Sequence, residues 1–513
     1  LSAAYAVICK HGPQEKQEHT ILKQFLKHLS WLMILNLAVK PAYLLIIDTK
    51  IQDLLGPEEF GRYFPLLSLS ILLNILLDAG LANHMTRLVS SNPEEIHRSF
   101  QFGWRTKRLL FPFYIILLLC IGWALGWRGE ALVWLGWIGL NQALLSAILY
   151  VRAGLQGIAA HRTDAWVSIA DRSLLFIAMG GLILSFDRFE VNWLLAGTSA
   201  ALSCTLLIAF WRLRKLTLSV HNHVNEAAST PLKNVRADLR AGWPYALLFL
   251  LMMTYHRVDG IMLERIAPNG AMQAGWYAMS YRFFEAANMI GYLCATLLLP
   301  YFTRMLANRE DVRPLARSMS SVLMAVGATI AWSSWYFPEQ FLGIFYDYEI
   351  QSASGILPWL MISFAVFAQG YVFSTLLTAR GDMRRLNQMA GAGAVLNIIL
   401  NAWWLSQASP TTGGIGCAVI SAITQGAMVV GQIFFCLRHH PGKQWWKLVR
   451  ALILHSLACF TICNAMVRWD IDPTQALWWA LIGCLAAGFL PGVIDFRSIQ
   501  KMLSEKMNTF ADS

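Results

Sequence analysis

The sequence predicts an all-α, polytopic membrane protein, and three observations predict it: composition, run length and the placement of positive charge. Of 513 residues, 56% are hydrophobic and 14% charged, and the mean hydropathy is +0.48. A soluble chain of this length would carry far more charge. The apolar residues come in runs of about 20, the length that crosses ~30 Å of hydrocarbon. Fourteen runs are expected, at about 26–47, 64–85, 109–127, 131–151, 165–186, 191–211, 242–263, 276–299, 318–337, 354–378, 386–405, 414–436, 447–467 and 474–494. With the N-terminus placed in the cytoplasm, 31 of the 41 Lys and Arg fall on that side. Six lie opposite (Lys50, Arg62, Arg128, Arg188, Arg265, Arg468) and four deeper inside spans (Lys40, Arg172, Arg257, Arg282), with Lys27, Lys447 and Arg450 counted to the cytoplasm because they stand in the first turn of spans one and thirteen. Cytoplasmic segments carry such an excess, so both termini are expected inside.

The pattern of connections divides the chain. A tail is expected at 1–25, a six-helix lobe at 26–211, a cytoplasmic linker at 212–241 and a second six-helix lobe at 242–436. Two additional helices follow at 437–494, then a cytoplasmic tail at 495–513. The lobes echo each other. Leu55-Gly56-Pro57 and Gly61-Arg62-Tyr63 follow span one; Ala267-Pro268 and Gly275-Trp276-Tyr277 follow span seven, about 214 residues later. Gly154-Leu155-Gln156-Gly157 and Ala379-Arg380-Gly381-Asp382 form a second echo. Both lobes start on the same side, so the repeat is expected to be parallel, about an axis along the membrane normal.

Several function classes are set aside by what the sequence holds. The net charge of +11 sits in short loops against an anionic leaflet, without the aromatic-interleaved motifs of nucleic-acid binding. No Gly-x-x-x-x-Gly-Lys-Ser/Thr and no His-Glu-x-x-His occurs, so no resident ATPase or metalloprotease chemistry is expected. The nine Cys contain no Cys-x-x-Cys, and Cys459 and Cys463 read as packing residues, so neither a disulfide framework nor a metal site is expected, and no cofactor. Leu1–Cys9 is too short and poorly organised for a signal peptide, so the first span is expected to direct insertion.

The ions inside the apolar runs stand out. A charge at a helix centre costs roughly 2.5–3.5 kcal/mol on insertion scales. Tyr255-His256-Arg257-Val258-Asp259 and Tyr281-Arg282-Phe283-Phe284-Glu285 nevertheless lie in spans seven and eight. Such residues are expected to face protein or a watery cavity, and to serve the movement of a charged substrate.

Three motifs, in order over about residues 25–437, carry a family resemblance. Leu54-Leu55-Gly56-Pro57-Glu58-Glu59-Phe60-Gly61-Arg62-Tyr63 continues to Leu77-Asp78-Ala79-Gly80-Leu81. Arg257-Val258-Asp259 leads to Gly275-Trp276-Tyr277, Arg282-Phe283-Phe284-Glu285 and Leu299-Pro300. The third motif is Ala379-Arg380-Gly381-Asp382, then Gly393-Ala394-Val395-Leu396-Asn397-Ile398-Ile399-Leu400-Asn401 and Gly413-Gly414-Ile415-Gly416. Together they resemble bacterial polysaccharide transporters, the Wzx-type flippases of the multidrug/oligosaccharidyl-lipid/polysaccharide exporter superfamily. The resemblance implies a two-lobed bundle around a central cavity in the bacterial inner membrane. It also implies flipping of undecaprenyl-diphosphate-linked oligosaccharide for O-antigen, capsule or exopolysaccharide, with membrane lipids, a glycan polymerase and chain-length machinery as partners. Members differ at substrate-contacting positions, so it names no sugar.

A lipid-linked diphosphate needs cations, and Arg offers a planar fork for its oxygens. Lys40, Arg257 and Arg282 are expected at one depth and are the candidate diphosphate-binding residues; snorkelling to the headgroups is the alternative. Arg172 is expected to snorkel to the inner headgroups. Asp78, Asp259 and Glu285 are candidate ion-pair or coupling acids, the latter for a cation or proton. Arg282 and Glu285 can pair at i, i+3; Asp259 is expected to pair with Arg282, and Asp78 to cap or face the inner interface. His256 and His455 read as packed histidines, and Asn397 and Asn401 as interhelical hydrogen-bonders. Two alternatives stay open: another exporter of the superfamily, for the peptidoglycan lipid precursor or for drugs, and a membrane glycan polymerase or ligase. The latter would need a large outer loop, and none is long enough.

Overall fold

A computed structural model describes residues 39–489 except 79, 92–95, 186–188, 222–234, 440–443 and 470. The expected tails at 1–25 and 495–513, the first part of span one, the middle of the linker and the end of span fourteen lie outside the described residues. Among these residues the secondary structure is helical, and eleven segments are long and apolar enough to cross a membrane. The first, Val39–Ser90, has 52 residues, about 78 Å at 1.5 Å per residue. That is more than twice the hydrocarbon thickness, and it contains the end of span one and all of span two. The break falls at Gly56, where φ is 76°. Glycine adopts this backbone without a Cβ clash, and Pro57 cannot donate the next helical hydrogen bond. Spans eleven and fourteen are covered by the helices Met383–Leu405 and Pro473–Ala487, which are not among the eleven.

Several helices outrun the apolar stretches that predict them. Ile96–Ala124 begins well before residue 109 and Gly270–Ala307 runs to 38 residues. Hydropathy locates hydrocarbon, whereas a helix continues wherever its backbone bonds are satisfied. Span one also contains a π-helix, Tyr43–Asp48, just after Lys40-Pro41. Such widened turns recur at functional sites.

In the first half of the chain, Glu130–Gly157 packs on Val191–His221, Leu81–Ser91 and Ile96–Ala124. In the second half, Leu357–Ala379 is central, packed on Arg313–Tyr336, Gly413–His439 and Gly270–Ala307. The last two helices, Gln444–Arg468 and Pro473–Ala487, lie on Arg313–Tyr336 around the buried Cys459, Cys463 and Cys484.

The halves meet where Thr49–Leu73 packs on Val235–Ile266 and Gly270–Ala307. Two glycines set the approach. A Cβ on Gly61 would stand 1.7 Å from the Ala271 carbonyl oxygen, and one on Gly275 would stand 1.9 Å from that of Pro57. Small residues permit such helix contact inside a membrane. The contact is reciprocal: Gly61 and Gly275 are about 214 residues apart, as are Pro57 and Ala271. A two-fold axis between repeats produces that pattern.

Candidate functional site

A buried charge network closes this junction. Arg282 Nε lies 2.6 Å from Asp48 Oδ2, joining the two halves, and Arg282 Nη1 lies 2.5 Å from Glu285 Oε2 on its own helix. The other Glu285 oxygen accepts from Arg257 Nη2 of span seven. Two arginines thus balance two carboxylates. The geometry overturns the expected Asp259–Arg282 pair: Asp48, on the far side of the junction, is Arg282's cross-span partner. Asp48 stands at the edge of an apolar run, where an acid carries no local signal of a buried partner. Each guanidinium also lies over a ring, Arg282 over Phe60 at 5.6 Å and Arg257 over Tyr281 at 5.4 Å. Arg257 Nη1 is buried without a hydrogen-bond acceptor among the described residues.

A second tier of contacts leads from this network to the surface. Gln52 Nε2 donates to Asp48 Oδ2 at 3.0 Å, and Tyr346 OH donates to Gln52 Oε1 at 2.9 Å. Above them Lys50 Nζ reaches Asp347 at 2.7 Å and Asp53 at 3.2 Å. Asp53 Oδ1 also accepts from the backbone N–H groups of Asp347 and Tyr348. At the same end Trp127 Nε1 donates to Glu264 at 3.1 Å, and Arg265 covers the Trp127 ring. The Lys50 hydrogen bond holds the Asp347 carboxyl below the usual carboxylate range. Its contribution is therefore complete at neutral pH and lost only as pH falls through that lowered value. Hydrogen-exchange protection of residues 344–350, taken relative to the intrinsic rate at each pH, should stay constant through neutrality and fall only in strong acid; a fall near neutral pH would contradict this assignment.

Asp259 occupies a different setting. It is fully buried, and among the described residues no Lys or Arg lies within ion-pair distance. Tyr277 OH donates to Oδ2 at 3.1 Å, Asn401 Nδ2 to Oδ1 at 2.8 Å, and Ser421 Oγ also to Oδ2. Asn401 Nδ2 lies 3.2 Å from Asn397 Oδ1, while Asn397 Nδ2 and Asn401 Oδ1 have no partner among the described residues. Turning either amide would present an oxygen to the carboxylate. An all-oxygen set of one carboxylate, two amides and hydroxyls fits a hard cation, or the carboxylate can take a proton.

Lys40 stands apart from the two arginines. It lies eight residues before Asp48, about 12 Å along a helix, and the charges acting on it are Asp171, Arg152, Arg172 and Asp164. It has no hydrogen-bond or ion-pair partner among the described residues, so the three expected cations do not form one cluster. Arg172, expected at the inner headgroups, lies with its guanidinium over the Tyr43 ring at 5.6 Å and 3.8 Å from Asp171. Asp78 Oδ1 accepts from Ala82 N at 3.3 Å, closing the turn at Gly80, and lies 3.8 Å from Lys107 Nζ. Lys107, which falls between the expected spans two and three, is buried and donates to Leu77 O at 2.9 Å and Ser146 Oγ at 2.6 Å. His256 packs against Phe367 at 4.8 Å, and His455 Nε2 contacts Cys459 Sγ at 3.4 Å.

The family profile described as "Polysaccharide biosynthesis protein" matches residues 25–306, more than half of the chain. The chain belongs to that family. No individual curated protein matches it. Among solved structures it resembles "Lipid II flippase MurJ, inward closed conformation" with a TM-score of 0.64 at 14% identity, over 90% of this chain and 97% of that one. An inward-facing multidrug resistance MATE family transporter of the MOP superfamily gives 0.57 at 14% identity, over 80% and 100%. A MOP superfamily transporter from Pyrococcus furiosus gives 0.52 at 16%, over 80% and 94%. At these identities the likeness shows the fold, that of MOP-superfamily transporters. This member of the polysaccharide biosynthesis family is thus a multi-pass membrane protein with a transporter's architecture.

Proposed function

We propose that this polysaccharide biosynthesis protein is a flippase of the bacterial cytoplasmic membrane, translocating undecaprenyl-diphosphate-linked oligosaccharide for surface glycan by alternating access. In this reading the chain crosses fourteen times with both termini inside, and residues 26–211 and 242–436 are its lobes. The observation that carries it is the neutral ion-pair latch of Asp48, Arg282, Glu285 and Arg257 between the halves. On the positive-inside assignment the latch lies toward the external face. A lobe junction held by exchangeable ion pairs can open, and a diphosphate can take over arginines that the acids release. Lys40, unpartnered in the first lobe, is the first receiving cation; Arg257 and Arg282 receive the diphosphate as the latch parts.

The acids separate by setting. Glu285 is the internal counter-ion of the two arginines, and Asp78 with Lys107 is structural. Asp259, with its oxygen-rich shell and no paired cation, is the coupling acid, for sodium or a proton.

Deleting the gene should leave lipid-linked repeat units facing the cytoplasm, with surface glycan lost. Normal surface glycan without accumulation would sink the reading, and accumulation of the peptidoglycan precursor instead would reassign the substrate. Lys40→Gln removes a charged hydrogen bond worth about 1.5–3 kcal/mol. Export in reconstituted vesicles should therefore fall roughly ten- to hundredfold, while Lys40→Arg retains most of it.

A further inference from the structure

The Asp259 shell and the latch are joined by an unbroken file of aromatic contacts on one helix. Tyr277, whose hydroxyl donates to Asp259, stacks on Tyr281 four residues on, with ring centroids 5.7 Å apart and planes at 23°. Tyr281 OH donates to the His256 carbonyl at 2.7 Å, fixing its ring against span seven. That ring carries the Arg257 guanidinium on its face and meets Phe64 of the other half at 5.8 Å. Arg257 then holds Glu285, and Glu285 holds Arg282 on Asp48. Both tyrosines are buried. The other groups on Asp259, namely Asn397, Asn401 and Ser421, belong to the helices Met383–Leu405 and Gly413–His439, which make at most slight contact with Thr49–Leu73 among the described residues.

We propose that Tyr277 and Tyr281 are positioning residues that transmit occupancy of the Asp259 carboxylate to the inter-lobe latch. The proposal rests on the cation reading of Asp259. A cation on the carboxylate uses the lone pair that the Tyr277 hydroxyl now shares, and it repels that hydroxyl's proton. The phenol must turn or withdraw. Tyr281, stacked on it in a close-packed interior, shifts with it. Arg257 gains from the face of Tyr281 by a cation–π contact that depends on ring placement, so its hold on Glu285 changes. The junction supplies the two-state element that a coupling claim requires. The titratable groups acting with Asp259 are Tyr277 and Tyr281 of one helix and the Cys417 thiol of another.

Tyr277→Phe tests this, because it removes one hydroxyl and keeps the ring stack. Hydrogen exchange is compared in sodium chloride and choline chloride, and across pH, for peptides at 395–425 around Asp259 and at 48–64 across the junction. In the wild type both regions should respond to sodium or to pH. In Tyr277→Phe the response at 395–425 should persist, with the ion's midpoint moved by less than about tenfold, while the response at 48–64 disappears. Tyr281→Leu should do the same by removing the platform for Arg257, and Tyr281→Phe should transmit normally. A Tyr277→Phe protein that still moves 48–64 overturns the relay, as does one whose local response is lost as well. A wild type responding only at 395–425 overturns the relay alone. A wild type responding at neither overturns the relay and the cation reading together.

Discussion

Arg282→Ala should abolish glycan export, because Arg282 is the residue through which the second half of the chain grips Asp48. Its removal leaves two carboxylates facing one arginine in a buried setting. Breaking a buried pair from one side costs roughly 3–5 kcal/mol, so the variant should also lose thermal stability in detergent. Stability and export are separable. Asp48→Asn combined with Arg282→Gln removes both unpaired charges, and should recover much of the stability while export stays absent. Export by the double variant at the wild-type rate would remove Arg282 from the transport cycle and leave it a structural ion. Thermal unfolding followed by tryptophan fluorescence, alongside export in vesicles, reads both quantities.

Gly275→Ala should shift the junction toward its separated state. The new Cβ would fall 1.9 Å from the Pro57 carbonyl oxygen, where ordinary contact begins near 3.4 Å. Backbone cannot yield as a side-chain tip can, and overpacking of this kind costs about 1–3 kcal/mol. That corresponds to a population shift of roughly 5–150-fold. Met279 lines the closed cleft with Gln52, Phe60 and Tyr346. A cysteine placed at Met279 should react with a membrane-impermeant maleimide faster by that factor in the Gly275→Ala background. Gly181→Ala, whose Cβ meets nothing within 4 Å, should leave the rate unchanged. Equal rates in the two backgrounds would mean that the glycine contact does not hold the closed state.

What the sequence made legible, and what it left hidden, follow from range. Apolar runs and the Lys/Arg asymmetry are local signals, so the membrane architecture was readable from composition and spacing. Arg257, Arg282 and Glu285 were also readable, because charge inside an apolar run is improbable without a reason. Their partner Asp48 was not readable, since nothing local says that it meets a residue some 230 positions away. The i, i+4 spacing showed that Asn397 and Asn401 share a face, and the structure supplies the acid they serve. Lys107 fell outside the expected spans because its helix starts at Ile96, far outside the apolar window. Lys40 was placed beside Arg257 and Arg282 by counting residues, which gives height along one helix but not the charges around it: those acting on Lys40 are Asp171, Arg152, Arg172 and Asp164.

The reciprocal contact of Gly61 with Ala271 and of Gly275 with Pro57 also bears on assembly. Each glycine meets, on the opposite repeat, the counterpart of the residue its twin meets. At its centre, then, one lobe's surface is its own complement. A chain ending in the linker would present Gly61 to Pro57 of a second copy, and the same close approach would form twice between identical subunits. At this contact the two halves meet as the subunits of a two-fold symmetric dimer do. At the same spacing the halves are unequal where charge is concerned: Lys40 corresponds to Thr254, and Asp259 to Leu45.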